Sequence, residues 1–197
     1  MTAATVAAAM KRQSVASTND VSAFRKGDAV VYPAHGLGRV DRVGYEEIAG
    51  HRLNLVHISF EDSQMTLRVP ATQASTVGLR KLASPETLSA ALAKLKGRQR
   101  TSRLMWAKRS QEYVAKINTG DPEALAEVIR DLQSAADGAQ SSMSQRRLFE
   151  LALDRLAGEL AAVRDLAKPE AIELINRLLA DARAEGTGAR QQADASG

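Results

Sequence analysis

The sequence predicts a two-domain α+β protein, in which a small SH3-like β-barrel is followed by a compact all-α helical bundle. Residues 24–83 carry short β-branched runs separated by glycines, and residues 84–185 carry apolar residues at helical spacing. Hydrophobic residues make up 44% of the chain but aromatic residues only 4%, so we expect aliphatic cores. The flanking residues 1–23 and 186–197 are predicted to be disordered tails.

The predicted barrel begins with DAVVYP, a β-branched strand that ends at Pro33. The following AHGLG is predicted to form a hairpin-type turn, because its two glycines can adopt positive φ without a steric penalty. RVDRVGYEEIAG and HRLNLVHISFED then form two short runs that Gly50 separates. Turns at such short intervals are typical of a strongly bent antiparallel sheet.

The last strand predicted for the barrel is SQMTLRVP, in which apolar and polar residues alternate strictly. This alternation places Arg68 on the face opposite to Leu67 and Val69. Because the strand ends at Pro70, and proline is confined to edge positions, we expect it at the edge of the sheet. VGLRKLASPETL is predicted to leave the sheet and to begin a linker.

Five helices are predicted in the second half, each from a polar capping residue or a proline in the first turn. The predicted starts are Ser84 with Pro85, Ser102, Asp121 with Pro122, Ser144, and Lys168 with Pro169. TGD is predicted to end the second helix near Asn118, and SAADGAQSSM to form the loop before the fourth.

The last three predicted helices each carry a single apolar stripe, and short loops between such helices indicate a bundle. The stripes are Leu125, Val128, Ile129 and Leu132; Phe149, Ala152, Leu153, Leu156, Leu160 and Val163; and Leu174, Ile175, Leu178 and Ala182.

Positive charge is concentrated in residues 94–116, although the whole chain has a net charge of only +4. This segment has 8 basic residues and 1 acidic residue, a net charge of +7, whereas residues 117–197 have 9 basic and 14 acidic residues, a net charge of −5. A basic patch attracts phosphates because each neutralised phosphate releases counterions. A solvated helix face is the alternative explanation for the same run of charge.

Several classes of function are not expected. The chain has no cysteine, which excludes disulfides and thiol chemistry, and it has no apolar run of about 18 residues that would span a membrane. Its start is apolar before it is basic, the reverse of a secretory signal, so we expect a cytoplasmic protein. The three histidines lack metal-binding spacing, and no phosphate loop or nucleophile elbow is present. We therefore expect no catalysis, cofactor or metal.

Two side chains are candidates for binding, and each has two interpretations. Arg68 on an edge strand either binds a partner's carboxylate bidentately or protects the edge against aggregation. Trp106, the only tryptophan, is in line with Tyr113 and Ile117, which favours burial. The neighbouring Lys108 and Arg109 favour instead a wedge or a stacking platform for nucleic acid.

The motifs FRKGDAVVYPAHGLGRV and MTLRVP resemble the start of the CarD family of bacterial transcription regulators. The second half is similar too, in W…R…EY…KI.TGD, LAEVIRDL and SMSQRRLFELALDRLAGELA, so the resemblance spans about residues 24–183 in order. Transcription-repair coupling factors carry a similar first domain, but this chain has no helicase motifs. The resemblance implies a Tudor-like domain that binds the β subunit of RNA polymerase, and a helical domain that contacts promoter DNA.

By motif, the resemblance assigns polymerase binding to Arg68, with Val69 and Pro70 on the same strand. It assigns to Trp106 a wedge that enters the minor groove at the upstream fork junction and stabilises the open complex. It implies DNA contacts by the basic residues around the wedge and by the pair that opens a later helix: Arg103, Lys108, Arg109, Arg146 and Arg147. We expect a partly exposed Trp106 and a monomeric protein, located at the nucleoid through polymerase.

The chain departs from the family in YEEIAG, where some relatives carry a further basic residue that contacts polymerase. Here the turn carries Glu46 and Glu47, which puts that second basic contact in doubt. Two other functions are compatible with the sequence. One is an architectural DNA-binding protein that needs no polymerase, and the other is a scaffold whose acidic last helices recruit a basic protein.

Overall fold

The structure, a computed structural model, describes residues 24–97, 99, 105–135 and 142–194. Within these residues the chain forms a five-stranded antiparallel sheet followed by five α-helices. The predicted fold class, a small β domain followed by an all-α bundle, is confirmed. The predicted N-terminal tail, residues 1–23, lies outside the described residues.

The sheet contains β1 (Ala29–Tyr32), β2 (Gly36–Ile48), β3 (His51–Phe60), β4 (Met65–Pro70) and β5 (Arg80–Lys81), in the order β4-β3-β2-β1-β5. As predicted, β4 is an edge strand. The prediction of a linker after β4 is wrong at Arg80 and Lys81, which pair with β1 as a two-residue strand. This pairing gives partners to the backbone groups of β1 that would otherwise lie at an edge.

The two turns of the barrel depend on glycine in different ways. The first turn covers residues 33–35, so the glycines of AHGLG belong to β2 and not to the turn, contrary to prediction. A Cβ on Gly38 would lie 2.7 Å from Cγ2 of Ile58, so close packing explains this glycine. Ala49 and Gly50, with φ of 51° and 78°, form the two-residue turn between β2 and β3, which matches a type I′ hairpin.

The barrel encloses an aliphatic core with one phenylalanine. Its buried residues are Val30, Val40, Val56, Ile58, Phe60, Val69, Ala71, Ala74 and Leu79. As expected from the composition, branched aliphatic side chains fill most of this volume.

The helices are α1 (Pro85–Leu95), α2 (Trp106–Thr119), α3 (Pro122–Leu132), α4 (Met143–Arg164) and α5 (Lys168–Asp194). Ser84 and Asp121 cap α1 and α3 as predicted, accepting hydrogen bonds from the backbone N–H groups of Thr87 and Ala124. The predicted cap Ser102 lies outside the described residues, and α2 begins after Met105, which makes no side-chain cap.

Two predicted helix boundaries are wrong. Ser142, not Ser144, caps α4, because Ser142 and Gln145 form a capping box that satisfies two backbone donors reciprocally. The last helix does not end near residue 185 but continues to Asp194. Alanine, arginine and glutamine, which predominate in residues 189–193, are good helix formers.

The bundle core is formed by the apolar stripes of α3 and α4 together with α1, Tyr113 and Ile117 of α2, and α5. All four predicted residues of the α3 stripe are at most 3% exposed. In α5 the buried residues are Ala171, Ile175 and Leu179, whereas Leu174 and Leu178 are only half-buried. The predicted stripe of α5 is therefore rotated slightly away from the observed one.

Charged side chains of α4 join the bundle to the sheet. Glu159 is 1% exposed, and its carboxylate accepts hydrogen bonds from the Arg80 guanidinium at 2.5 and 2.8 Å. It also accepts one from the backbone N–H of Ala83 at 2.7 Å. The Arg80 guanidinium donates in addition to the Gly120 carbonyl, at the end of α2. One buried carboxylate therefore connects β5, α2 and α4.

Two further basic residues complete this junction. Arg155 donates hydrogen bonds to the carbonyls of Pro33 and Ala34, in the turn between β1 and β2. Lys168, at the start of α5, lies 2.6 Å from the carboxylates of both Asp62 and Asp154. Burial alone would lower the pKa of Lys168, but its hydrogen bonds to these two carboxylates raise that pKa above its ordinary value.

Candidate functional site

Trp106 is the first residue of α2, and its ring lies partly inside the bundle and partly at its surface. The ring centroid is 6.4 Å from that of Tyr113, in a tilted arrangement. The indole Nε1–H donates a hydrogen bond to the Ser144 hydroxyl at 3.2 Å. The expectation of a partly exposed tryptophan is confirmed, while Tyr113 and Ile117 of the same helical line are buried.

The contact between Trp106 and Ser144 brings the first turns of α2 and α4 together. Met105 and Met143, next to these residues in the chain, are 81% and 70% exposed. We call Met105, Trp106 and Met143 the apolar corner. Neither helix has an acidic residue in its first turn, so the positive ends of both helix dipoles face this region without a compensating carboxylate.

The predicted basic residues lie close to the apolar corner in the chain. The guanidinium carbon of Arg109 is 5.5 Å from the centre of the Trp106 ring, a cation–π distance. Lys108 and Arg147 are exposed, and Arg146 is half-buried in the second turn of α4. The structure therefore gathers basic side chains from α2 and α4 around one tryptophan.

Arg103, the remaining predicted DNA contact, lies outside the described residues.

Two cations of the basic segment are engaged in the bundle. Lys94 contacts Glu123 at 2.9 Å and Glu127 at 3.0 Å, and Lys116 contacts Glu127 at 2.6 Å. The hydrogen bond from Lys116 is the largest cause that lowers the pKa of Glu127 to about 2, and Lys94 contributes further. The net charge of residues 94–116 thus overstates the charge available to a ligand, because Lys94 and Lys116 connect α1 and α2 to α3.

A second candidate site lies on the sheet, around Arg68. Its side chain is 63% exposed on the edge strand β4. Arg42, His57 and Arg68 are cross-strand neighbours in β2, β3 and β4. Glu46 lies beside this row, with one carboxylate oxygen 3.2 Å from His57 Nε2 and the other 3.7 Å from Arg68 Nη1.

Glu46 is held in this position by Arg42, whose guanidinium donates a hydrogen bond to it. Burial would raise the pKa of Glu46, but this hydrogen bond and the nearby positive charges lower it below its ordinary value. Sequence reasoning singled out Glu46 but missed Arg42 and His57 as its partners. The cross-strand register that aligns them follows from the two-residue turn at Ala49 and Gly50, which was the signal available.

The neighbours of Arg68 present different surfaces. Val69 is 6% exposed and belongs to the barrel core, and Pro70 is half-buried. At Val69 the edge strand therefore offers mainly its backbone to a partner, whereas Arg68 offers its side chain. No group of three or more histidine, aspartate or glutamate residues is placed to hold a metal ion in the described part of the chain. Among the same residues, no helix combines the length and apolar character needed to cross a membrane.

Comparison with known proteins gives matches over both domains. Residues 24–83 match the family described as CarD-like/TRCF RID domain, and residues 90–176 match the family described as CarD, C-terminal domain. One relative, named "Putative transcription factor YdeB" from Bacillus subtilis (strain 168), is 24% identical over 147 residues. That alignment covers 75% of this chain and 96% of the relative. The sheet and the bundle thus each match a domain of the same kind of regulator.

The shared carboxylate of Glu127 predicts a pH-dependent contribution to stability. Its pKa is lower in the folded protein than the ordinary 4.5, so its contribution is complete above about pH 5 and is lost as pH falls toward about 2. Glu127→Gln should therefore lower the free energy of unfolding at pH 7 by about 1–2 kcal/mol, allowing for solvent screening. The difference from the unsubstituted protein should disappear near pH 2, as measured by urea denaturation across this range. Glu173→Gln, an exposed carboxylate paired with Arg177, is the control and should change little.

Proposed function

The chain belongs to the CarD family of transcription regulators, and we propose that it binds the β subunit of bacterial RNA polymerase and stabilises the promoter open complex. The observation that carries this proposal is the half-buried Trp106, placed where the first turns of two helices meet among basic side chains. The matches to a CarD-like/TRCF RID domain and to a CarD C-terminal domain support interaction with RNA polymerase and a role in transcription.

In this proposal the apolar corner contacts DNA in the minor groove. An apolar side chain inserted between base pairs unstacks one step at a cost of a few kcal/mol, which extra contacts must offset. The cost is lowest where the duplex already ends in melted DNA. Trp106 would therefore act at the upstream fork junction of the bubble, where it opposes reannealing.

Basic residues would hold the DNA backbone on either side of the wedge. Lys108 and Arg147 are exposed, and both lie within two turns of a helix N-terminus that has no acidic residue in its first turn. Phosphate contacts position a protein but carry no sequence information directly. The same side chains would thus serve at promoters of different sequence, with Arg103, Arg109 and Arg146 as further candidates.

The sheet would supply the polymerase contact. Arg68 is exposed on an edge strand, where its guanidinium can bind a carboxylate of the β subunit bidentately. Val69 and Pro70 would extend the contact along the strand. Because Glu46 already lies 3.7 Å from Arg68, the partner's carboxylate must compete with it, and Glu46 would moderate the affinity for polymerase.

Tethering to polymerase explains how few DNA contacts can suffice. A site held beside the promoter meets DNA at a high effective concentration, so the intrinsic DNA affinity can stay low. One sheet and one apolar corner occur in the same chain, so a monomer would be sufficient. The protein would then be located at the nucleoid through polymerase.

Trp106→Ala should shorten the lifetime of the open complex about tenfold or more, because the wedge no longer opposes reannealing of the unstacked step. The lifetime is measured by competitor challenge on a promoter that responds to the unsubstituted protein. Binding to polymerase should be unchanged. Leu151→Ala, which removes an exposed apolar side chain elsewhere on α4, is the control. An open complex that decays at the same rate with Trp106→Ala as with the unsubstituted protein would reject the wedge.

Arg68→Glu should weaken binding to an isolated β-subunit fragment at least about tenfold, because it replaces a cation by an anion opposite a carboxylate. Arg177→Glu makes the same charge change on an exposed residue of α5 and should leave the affinity unchanged. Affinities are measured by calorimetry or interferometry. Equal affinities for both variants would remove Arg68 from the polymerase site. If intact duplex were also bound tightly without polymerase, the architectural DNA-binding function would replace the proposed one.

A further inference from the structure

The orientation of the Trp106 ring depends on a helix other than its own. Met105, which precedes α2, makes no side-chain capping hydrogen bond, and it is 81% exposed. The ring therefore sits at a helix end that has little packing on its N-terminal side. The hydrogen bond from the indole Nε1–H goes to Ser144, the second residue of α4.

The Ser144 hydroxyl is itself held in place. Its oxygen lies 3.0 Å from the hydroxyl oxygen of Ser142, the residue that caps α4. Ser142 is fixed by the capping box, in which its backbone N–H donates to Gln145 Oε1 at 2.9 Å and its hydroxyl accepts from the Gln145 backbone N–H. A continuous set of hydrogen bonds thus runs from the first turn of α4 to the indole.

Contacts with the rest of the ring come from α2 alone. Tyr113 packs beside the ring with centroids 6.4 Å apart and an interplanar angle of 48°. Arg109 approaches it at 5.5 Å in a cation–π contact. Both residues leave rotation about the side-chain torsions of Trp106 possible, because aromatic χ2 wells are broad. The hydrogen bond to Ser144 is directional and selects one orientation among these.

We propose that Ser144 is a positioning residue for the wedge, whose hydroxyl sets the orientation in which the indole of Trp106 meets the base step. This inference rests on the proposed function and deepens it. It makes α4 a part of the wedge, so the helix that carries Arg146 and Arg147 also orients the ring that those cations accompany. A fixed ring loses less conformational entropy on binding than a mobile one.

The experiment uses the full-length protein and three variants. Ser144→Ala removes the hydroxyl, and Ser144→Thr restores a hydroxyl at the same position. Gln145→Ala breaks the capping box but keeps Ser144, so it controls for fraying of α4. Because Trp106 is the only tryptophan, its fluorescence anisotropy and its quenching by acrylamide report the ring directly in the free protein. Open-complex lifetime is measured for the same set, together with Trp106→Ala.

We expect Ser144→Ala to lower the anisotropy, to increase quenching and to shorten the open-complex lifetime about two- to tenfold, the range that one ordinary hydrogen bond accounts for. Ser144→Thr should recover all three quantities, and Gln145→Ala should retain most of each. Unchanged fluorescence in Ser144→Ala would overturn the inference. So would an unchanged lifetime in Ser144→Ala if Trp106→Ala shortens it, or a Ser144→Thr variant that recovers nothing. If Trp106→Ala itself leaves the lifetime unchanged, the proposed function fails, and the role of Ser144 at DNA fails with it.

Discussion

The carboxylate of Glu159 is the interaction on which the arrangement of the two domains depends. A carboxylate that is 1% exposed is costly to bury unless hydrogen bonds replace its hydration. Glu159 meets this requirement with two N–H groups of Arg80 and the backbone N–H of Ala83, all within 2.8 Å. These donors come from β5 and from the chain just before α1, so the carboxylate is satisfied only when the sheet and the bundle are docked.

This junction also determines where the tryptophan is held. The same Arg80 guanidinium donates to the carbonyl of Gly120, which ends α2, while Trp106 begins that helix. A helix of 14 residues is about 20 Å long at 1.5 Å per residue. The sheet therefore holds one end of a rigid element that carries the indole at its other end. In the proposed function, this geometry transmits the position of the polymerase-bound sheet to the DNA.

Local features of the sequence predicted well the elements that local interactions determine. Ser84 and Asp121 cap helices as their sequence neighbours indicate, and the alternation in MTLRVP gave the correct orientation of Arg68. The contacts that could not be predicted depend on pairing between distant segments. Glu159 is 1 of 14 acidic residues in residues 117–197, and only docking against β5 distinguishes it from a solvated helix residue. Likewise, the engagement of Lys94 and Lys116 by Glu127 requires three helices to be packed together.

The central claim, that Glu159 fixes the sheet relative to the bundle, can be tested most directly by a distance measurement. The chain has no cysteine, so spin labels can be attached to cysteines introduced at the exposed Thr66 and Glu150, one in each domain. Pulsed electron paramagnetic resonance should give a single narrow distance distribution for this labelled protein. With Glu159→Gln added, which leaves the charge of Arg80 uncompensated, the distribution should broaden while circular dichroism shows that both domains remain folded. An equally narrow distribution with Glu159→Gln, or a broad one without it, would contradict the account.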